Sequence, residues 1–141
     1  MAGTYNAVQR PIILLIEGRP VMRGVLREMV QNAFPGYAIM EAPNGARGMN
    51  LCAQHRPRLV IIDARLPDGD GIELTARIKV AMPVTAVIVV SYLDSDVYVA
   101  QALAAGAHAY VVMDRLLPDL VPAISDALGV PPAPHTGRGS R

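Results

Sequence analysis

Three side chains able to act as a nucleophile, a metal ligand or a hydrogen-bonding hydroxyl follow short apolar runs. Glu17 follows Ile12 to Ile16, Asp63 follows Leu59 to Ile62, and Ser91 follows Ala86 to Val90. In an open parallel sheet, reactive groups gather outside the carboxyl ends of the strands, beside helix N-termini. Asp63 is the most informative of the three because it ends a buried-looking run and precedes Ala64-Arg65-Leu66-Pro67-Asp68-Gly69-Asp70-Gly71. A carboxylate above such a turn is placed for nucleophilic attack or metal binding, and equally to cap the helix that follows. Asp68 and Asp70 lack the carboxylate spacing and closing Glu of a calcium loop, so both read as turn residues.

Five short apolar runs position these groups: Ile12 to Ile16, Tyr37 to Glu41, Leu59 to Ile62, Ala86 to Val90 and Ala109 to Val112. Stretches with helical spacing separate them, the pattern of βαβ units and a parallel sheet covered on both faces. The first helix begins at Pro20, with Val21, Val25, Leu26, Met29, Val30 and Ala33 expected inward. Asn44 is the expected N-cap of the second, which buries Ala46, Met49, Cys52 and Ala53. The third covers Ile72 to Ala81, and the fourth starts near Asp94 or Ser95 and stops at Gly106. Pro118 and Pro122 predict that the fifth starts late or kinks. The domain is expected over residues 11–128, between an N-terminal extension, 1–10, and a flexible tail or linker start, 129–141.

Composition narrows the function. With 52% apolar residues in 141 the chain can pack one ordinary core, and a formal charge of +1 with scattered basic residues shows no footprint for nucleic acid or an anionic membrane. The longest uncharged stretch, residues 97–113, is shorter than the roughly 20 residues a bilayer span needs. One cysteine, Cys52, excludes an intrachain disulfide and a Cys-rich zinc site and suits the cytoplasm. The turn Glu17-Gly18-Arg19-Pro20 is too poor in glycine and hydroxyls to cradle a nucleotide, which argues against a small cofactor-binding enzyme. His55, His108 and His135 are too scattered for a shared metal site.

Four segments are similar to the receiver domain of two-component response regulators: Ile13 to Glu17, Ile62 to Leu74, Val89 to Ser91, and Ala104 to Val111. The second is the most specific, an Asp followed by Leu-Pro and Asp-Gly at set offsets. The resemblance implies a flavodoxin-like α/β fold, a doubly wound five-stranded parallel sheet in order 2-1-3-4-5 with helices on both faces. It implies that Asp63 accepts a phosphoryl group from a sensor histidine kinase or phosphotransfer protein. Ser91 would then hydrogen-bond that group and Tyr110 would turn inward as the switch aromatic. It also implies a signalling domain rather than an enzyme. Its partner would be an effector protein or a linked output domain, and a homodimer could form through helix 4, strand 5 and helix 5.

Two positions depart from the family pattern. Glu17 fills the first acidic position after strand one, but Gly18 fills the second, so Mg²⁺ held by Glu17 and Asp63 is expected to bind weakly. The Lys expected after strand five is Met113, and the one lysine in the chain, Lys79, lies in the third helix. Losing a charge-assisted contact costs about 1.5–3 kcal/mol, and each ~1.4 kcal/mol lost from a transition state slows it about tenfold. Arg19 and Arg65 could supply phosphate or site charge in compensation, or Arg65 could neutralise an unphosphorylated site. Tyr92 could cover Asp63 or pack on the fourth helix. Two readings therefore stand at this level: a phosphoacceptor receiver with weakened metal and phosphate binding, or a phosphorylation-independent pseudo-receiver acting as a protein interaction module.

Overall fold

The computed structural model describes residues 9–134; most of the expected extension, the end of the tail and His135 lie outside them. The strands are β1 (Ile12–Ile16), β2 (Ala38–Ala42), β3 (Leu59–Asp63), β4 (Ala86–Ser91) and β5 (Ala109–Val112). All pair in parallel in the order β2-β1-β3-β4-β5, which is the predicted arrangement. The helices are α1 (Pro20–Ala33), α2 (Gly45–His55), α3 (Gly71–Ala81), α4 (Asp96–Ala104) and α5 (Leu116–Leu128). Two apolar layers sandwich the sheet. Leu26 and Val30 of α1 with Leu120 and Ile124 of α5 cover one face, and Leu51, Leu74, Ile78 and Ala102 of α2 to α4 cover the other.

Several local expectations are corrected. β2 is one residue later than its apolar run, and β3 includes Asp63 itself. On α1, Val21 and Val25 face solvent while Leu26 and Val30 are fully buried, because the stripe that meets the sheet is narrower than the apolar one. On α2 the buried side chains are Leu51 and Cys52, and Ala46 and Ala53 are exposed. Burial pushes the Cys52 thiol up to about 11, consistent with a packing role. α5 begins early, directly after a 3₁₀ turn at Met113–Arg115, and continues through Pro122. Pro118 lies in the first turn, where a missing N–H costs nothing, and burial of Leu120 and Ile124 offsets the bond lost at Pro122.

The turn after β3 forms a short hairpin, Arg65–Leu66 against Gly69–Asp70. It sets the direction of the loop above Asp63, and its two aspartates have structural duties. Asp70 caps α3 by accepting from the backbone of Ile72 and Glu73, while Asp68 caps α2 from a distance, accepting from Gly45 (2.8 Å) and Ala46 (3.0 Å). Those two bonds hold the exposed Asp68 carboxyl below its usual range. The cap on α3 is therefore not Asp63.

Gly71 starts α3 directly against β3, donating to the carbonyl of Ala64 at 2.8 Å. A Cβ there would lie 2.0 Å from the carbonyl oxygen of Asp63. A Gly→Ala change inside a helix ordinarily stabilises by up to about 1 kcal/mol. Gly71→Ala is instead expected to destabilise by about 1–3 kcal/mol through overpacking, read as a lower midpoint in urea unfolding; an unchanged or higher midpoint would contradict this close approach.

Candidate functional site

β1 and β3 are neighbours in parallel register, Ile16 beside Ile62, so the residues that end them emerge on the same rim. The side chains of Glu17 and Asp63 are 1% and 7% exposed, and no basic residue from the sheet accompanies them. The counter-charge comes from Arg19, the residue immediately before α1. Its backbone N–H donates to Glu17 Oε2 at 2.8 Å, its Nε donates to the same oxygen at 3.1 Å, and its Nη2 donates to Glu17 Oε1 at 3.2 Å. Nη2 also donates to Asp63 Oδ2 at 2.7 Å. One guanidinium thus bridges both carboxylates.

The second oxygen of Asp63 is also engaged, because Oδ1 accepts the backbone N–H of Arg65 at 2.8 Å. The Arg65 side chain is exposed and makes no hydrogen bond or ion pair among the described residues. Arg65 therefore meets Asp63 through its backbone, and the arginine that neutralises the site is Arg19. Tyr92 lies over the guanidinium, with the Arg19 carbon Cζ 4.6 Å from the ring centroid, a cation–π contact that places the ring above the pocket rather than on α4 alone.

Ser91 is buried at the end of β4, and its Oγ accepts the N–H of Leu93 at 3.0 Å. The Tyr110 hydroxyl donates to the carbonyl of Leu93 at 2.7 Å. The segment from Ser91 to Leu93 therefore has the Arg19 stack at its middle and Tyr110 at its end. A cavity of about 470 Å³ opens here, lined by Glu17, Arg19, Asp63, Arg65, Ser91 and Tyr92 among others. Met113 does not join the lining; it is buried in the apolar layer shared with α5. Lys79 is engaged elsewhere, donating to the carbonyls of Pro83 and Thr85 at 2.7 Å each.

The sequence reading missed Arg23 and Glu41. Arg23 donates to the carbonyl of Glu17 at 2.8 Å and pairs with Glu41, which also pairs with Arg27. The signal was present as one helix turn between Arg19, Arg23 and Arg27, but its target lay on another strand. His108 also has a partner, Asp126 of α5 at 2.6 Å.

The position between the two carboxylates is taken by a cation of the chain itself. Mg²⁺ requires six near-octahedral oxygens, usually one or two carboxylates with several waters. Here a guanidinium lies between the two available carboxylates, and no group of three metal-ligating side chains occurs among the described residues. Restoring an acid at position 18 is obstructed as well, since a Cβ on Gly18 would lie 2.7 Å from two ring carbons of Pro67.

A doubly wound α/β domain with an acidic pocket at the carboxyl rim, a hydroxyl at the end of β4 and an aromatic on β5 has the architecture of a signal receiver. The chain belongs to the response regulator receiver domain family, which it matches over residues 13–124. It is 31% identical over 116 residues to the chemotaxis protein CheY of Halobacterium salinarum, a match covering 82% of this chain and 95% of that protein. It is 34% identical over 117 residues to the transcriptional regulatory protein PdtaR of Mycobacterium tuberculosis, covering 82% of this chain but 56% of the relative. In several other curated relatives the match likewise spans about half of the longer protein. A LuxR-family response regulator from Aurantimonas sp. SI85-9A1 superposes with a TM-score of 0.79 at 27% identity, covering 87% of this chain and 89% of that one. Among the described residues, no helix is long and apolar enough to cross a membrane.

Burial pushes the Asp63 carboxyl up to about 6, and the facing Glu17 adds to the rise, while the Arg65 N–H and the charge of Arg19 oppose it. Burial works on Glu17 in the same sense, but the side-chain and backbone hydrogen bonds from Arg19 outweigh it and hold Glu17 below the usual range. Of the two carboxyls, Asp63 is therefore the one that takes up a proton first as the pH falls. Because the folded value of Asp63 lies above the unfolded ~3.9, its ionisation destabilises the fold fully above about pH 6 and not at all below about pH 4. Asp63→Asn is expected to stabilise the domain by on the order of 2 kcal/mol at pH 7, with the gain disappearing toward pH 4. Thermal melts of both proteins across that range check it, and a gain that grows as the pH falls would contradict the assignment.

Proposed function

We propose that this domain is a non-enzymatic receiver that signals by binding partner proteins in a state set by its own ion cluster, without accepting a phosphoryl group. The observation that carries this reading is the engagement of both Asp63 oxygens, Oδ2 by Arg19 and Oδ1 by the Arg65 backbone. A carboxylate attacking phosphorus must aim a lone pair at the phosphorus, which the Arg19 guanidinium on Oδ2 obstructs, and the transferring phosphoryl oxygens need a metal ion and a further cation. Gly18 and Met113 remove one acidic ligand and the cation, and the guanidinium is committed to the carboxylates.

The proposed output face is α4, β5 and α5. Val97 and Leu103 of α4 and Leu117 of α5 are exposed there, and apolar side chains in the open suit protein contacts. Its occupant would be an effector protein or a linked output domain, while a sensor histidine kinase or phosphotransfer protein belongs to the phosphoacceptor reading below. A second copy of the chain could use the same face, with all of this taking place in the cytoplasm.

The phosphoacceptor reading is second. It is favoured by the cavity over Asp63 and by two arginines on its wall, which could contact phosphoryl oxygens. Incubation with Mg²⁺ and a small phosphodonor, followed by intact mass, decides between the two. The expected result is no adduct, and no shift of the Ser91 or Tyr110 resonances on adding beryllofluoride. A phosphoryl adduct that disappears in Asp63→Asn would overturn the first reading in favour of the second.

A further inference from the structure

We propose that Arg19 is a tethered cation standing in place of a divalent metal ion, so that the acidic pocket carries its counter-charge within its own chain and excludes the metal by occupying its position. This rests on the phosphoryl-independent reading only in explaining why such a site would persist; the geometry is independent of it. The guanidinium Nη2 is within hydrogen-bond distance of both carboxylates, 3.2 Å from Glu17 Oε1 and 2.7 Å from Asp63 Oδ2, which is where an ion shared by the two would have to sit.

Four features favour the guanidinium over an ion from solution. The tether is two residues long, so the cation competes at the high effective concentration of a short linker. Its fork matches the carboxylate of Glu17 with Nε on one oxygen and Nη2 on the other, and a guanidinium gives up water more readily than Mg²⁺ does. The Tyr92 ring covers its outer side. The position that would supply a third acid is Gly18, and the Pro67 ring fills the space its side chain would need.

Arg19→Gln tests this directly. Without the guanidinium, two buried carboxylates face one another, so the variant is expected to melt lower than the wild type at pH 7. Millimolar Mg²⁺ should restore its melting temperature while leaving the wild type unmoved. Binding of Mn²⁺ alone, followed by the electron paramagnetic resonance of the free ion, is expected to be roughly tenfold or more tighter in Arg19→Gln than in the wild type. Adding Asp63→Asn to Arg19→Gln should abolish that gain. Tyr92→Ala keeps the charge balance of the pocket and so remains a test where Arg19→Gln fails to fold; uncovering the guanidinium is expected to raise Mn²⁺ affinity part of the way. Wild-type protein that binds Mn²⁺ as tightly as both variants would overturn the proposal. None of these measurements uses a phosphodonor, so tight Mn²⁺ binding by a wild type that still gives no phosphoryl adduct sinks this proposal alone, whereas a Mg²⁺-dependent adduct on Asp63 counts against both.

Discussion

Two carboxylates buried at one rim of a parallel sheet cannot both be charged without a cation between them. Desolvation of each ion costs several kcal/mol even after relaxation, and the register of β1 against β3 forces Glu17 and Asp63 together whatever neutralises them. In this chain the neutralising group is a side chain, Arg19. Arg19 takes Asp63 Oδ2, lies under the Tyr92 ring and holds Glu17 below its usual range, so Asp63 is the more readily protonated of the two.

The consequences extend from the pocket to the surface. Tyr92 stacks on Arg19, and Tyr92 is flanked by Ser91 and Leu93, whose backbone carries both the Ser91 turn and the acceptor for the Tyr110 hydroxyl. The ion cluster and the aromatic of β5 are thus joined by a three-residue segment. Under the proposed function, this segment is the route by which the pocket would reach the α4, β5 and α5 face.

Much of the fold was legible because buried parallel strands and amphipathic helices write themselves as short apolar runs and helical spacing. The five strands were recoverable this way, whereas their order came from the family resemblance. Helix faces were less legible: Val21 and Val25 continue the apolar stripe of α1 yet point to solvent, because the stripe covering the sheet is set by where α1 lies, not by its composition. Asp68 read as a turn residue, and its bond to the N-terminus of α2, 23 residues away, had no local trace.

The sequence by itself determined which reactive groups end the strands and that Gly18 and Met113 stand beside them, since these follow from residue identity at the strand tips. Tertiary structure alone decided which group pairs with Glu17 and Asp63. Arg19 and Arg65 are each two residues from a site carboxylate, yet one folds its side chain back across both acids and the other offers only its backbone. The difference lies in the chain's exit directions: Arg19 precedes a helix that starts beside the pocket, whereas Arg65 opens a hairpin that leaves its side chain exposed at the cavity wall. Such directions depend on contacts distant in the chain, which residue spacing does not encode.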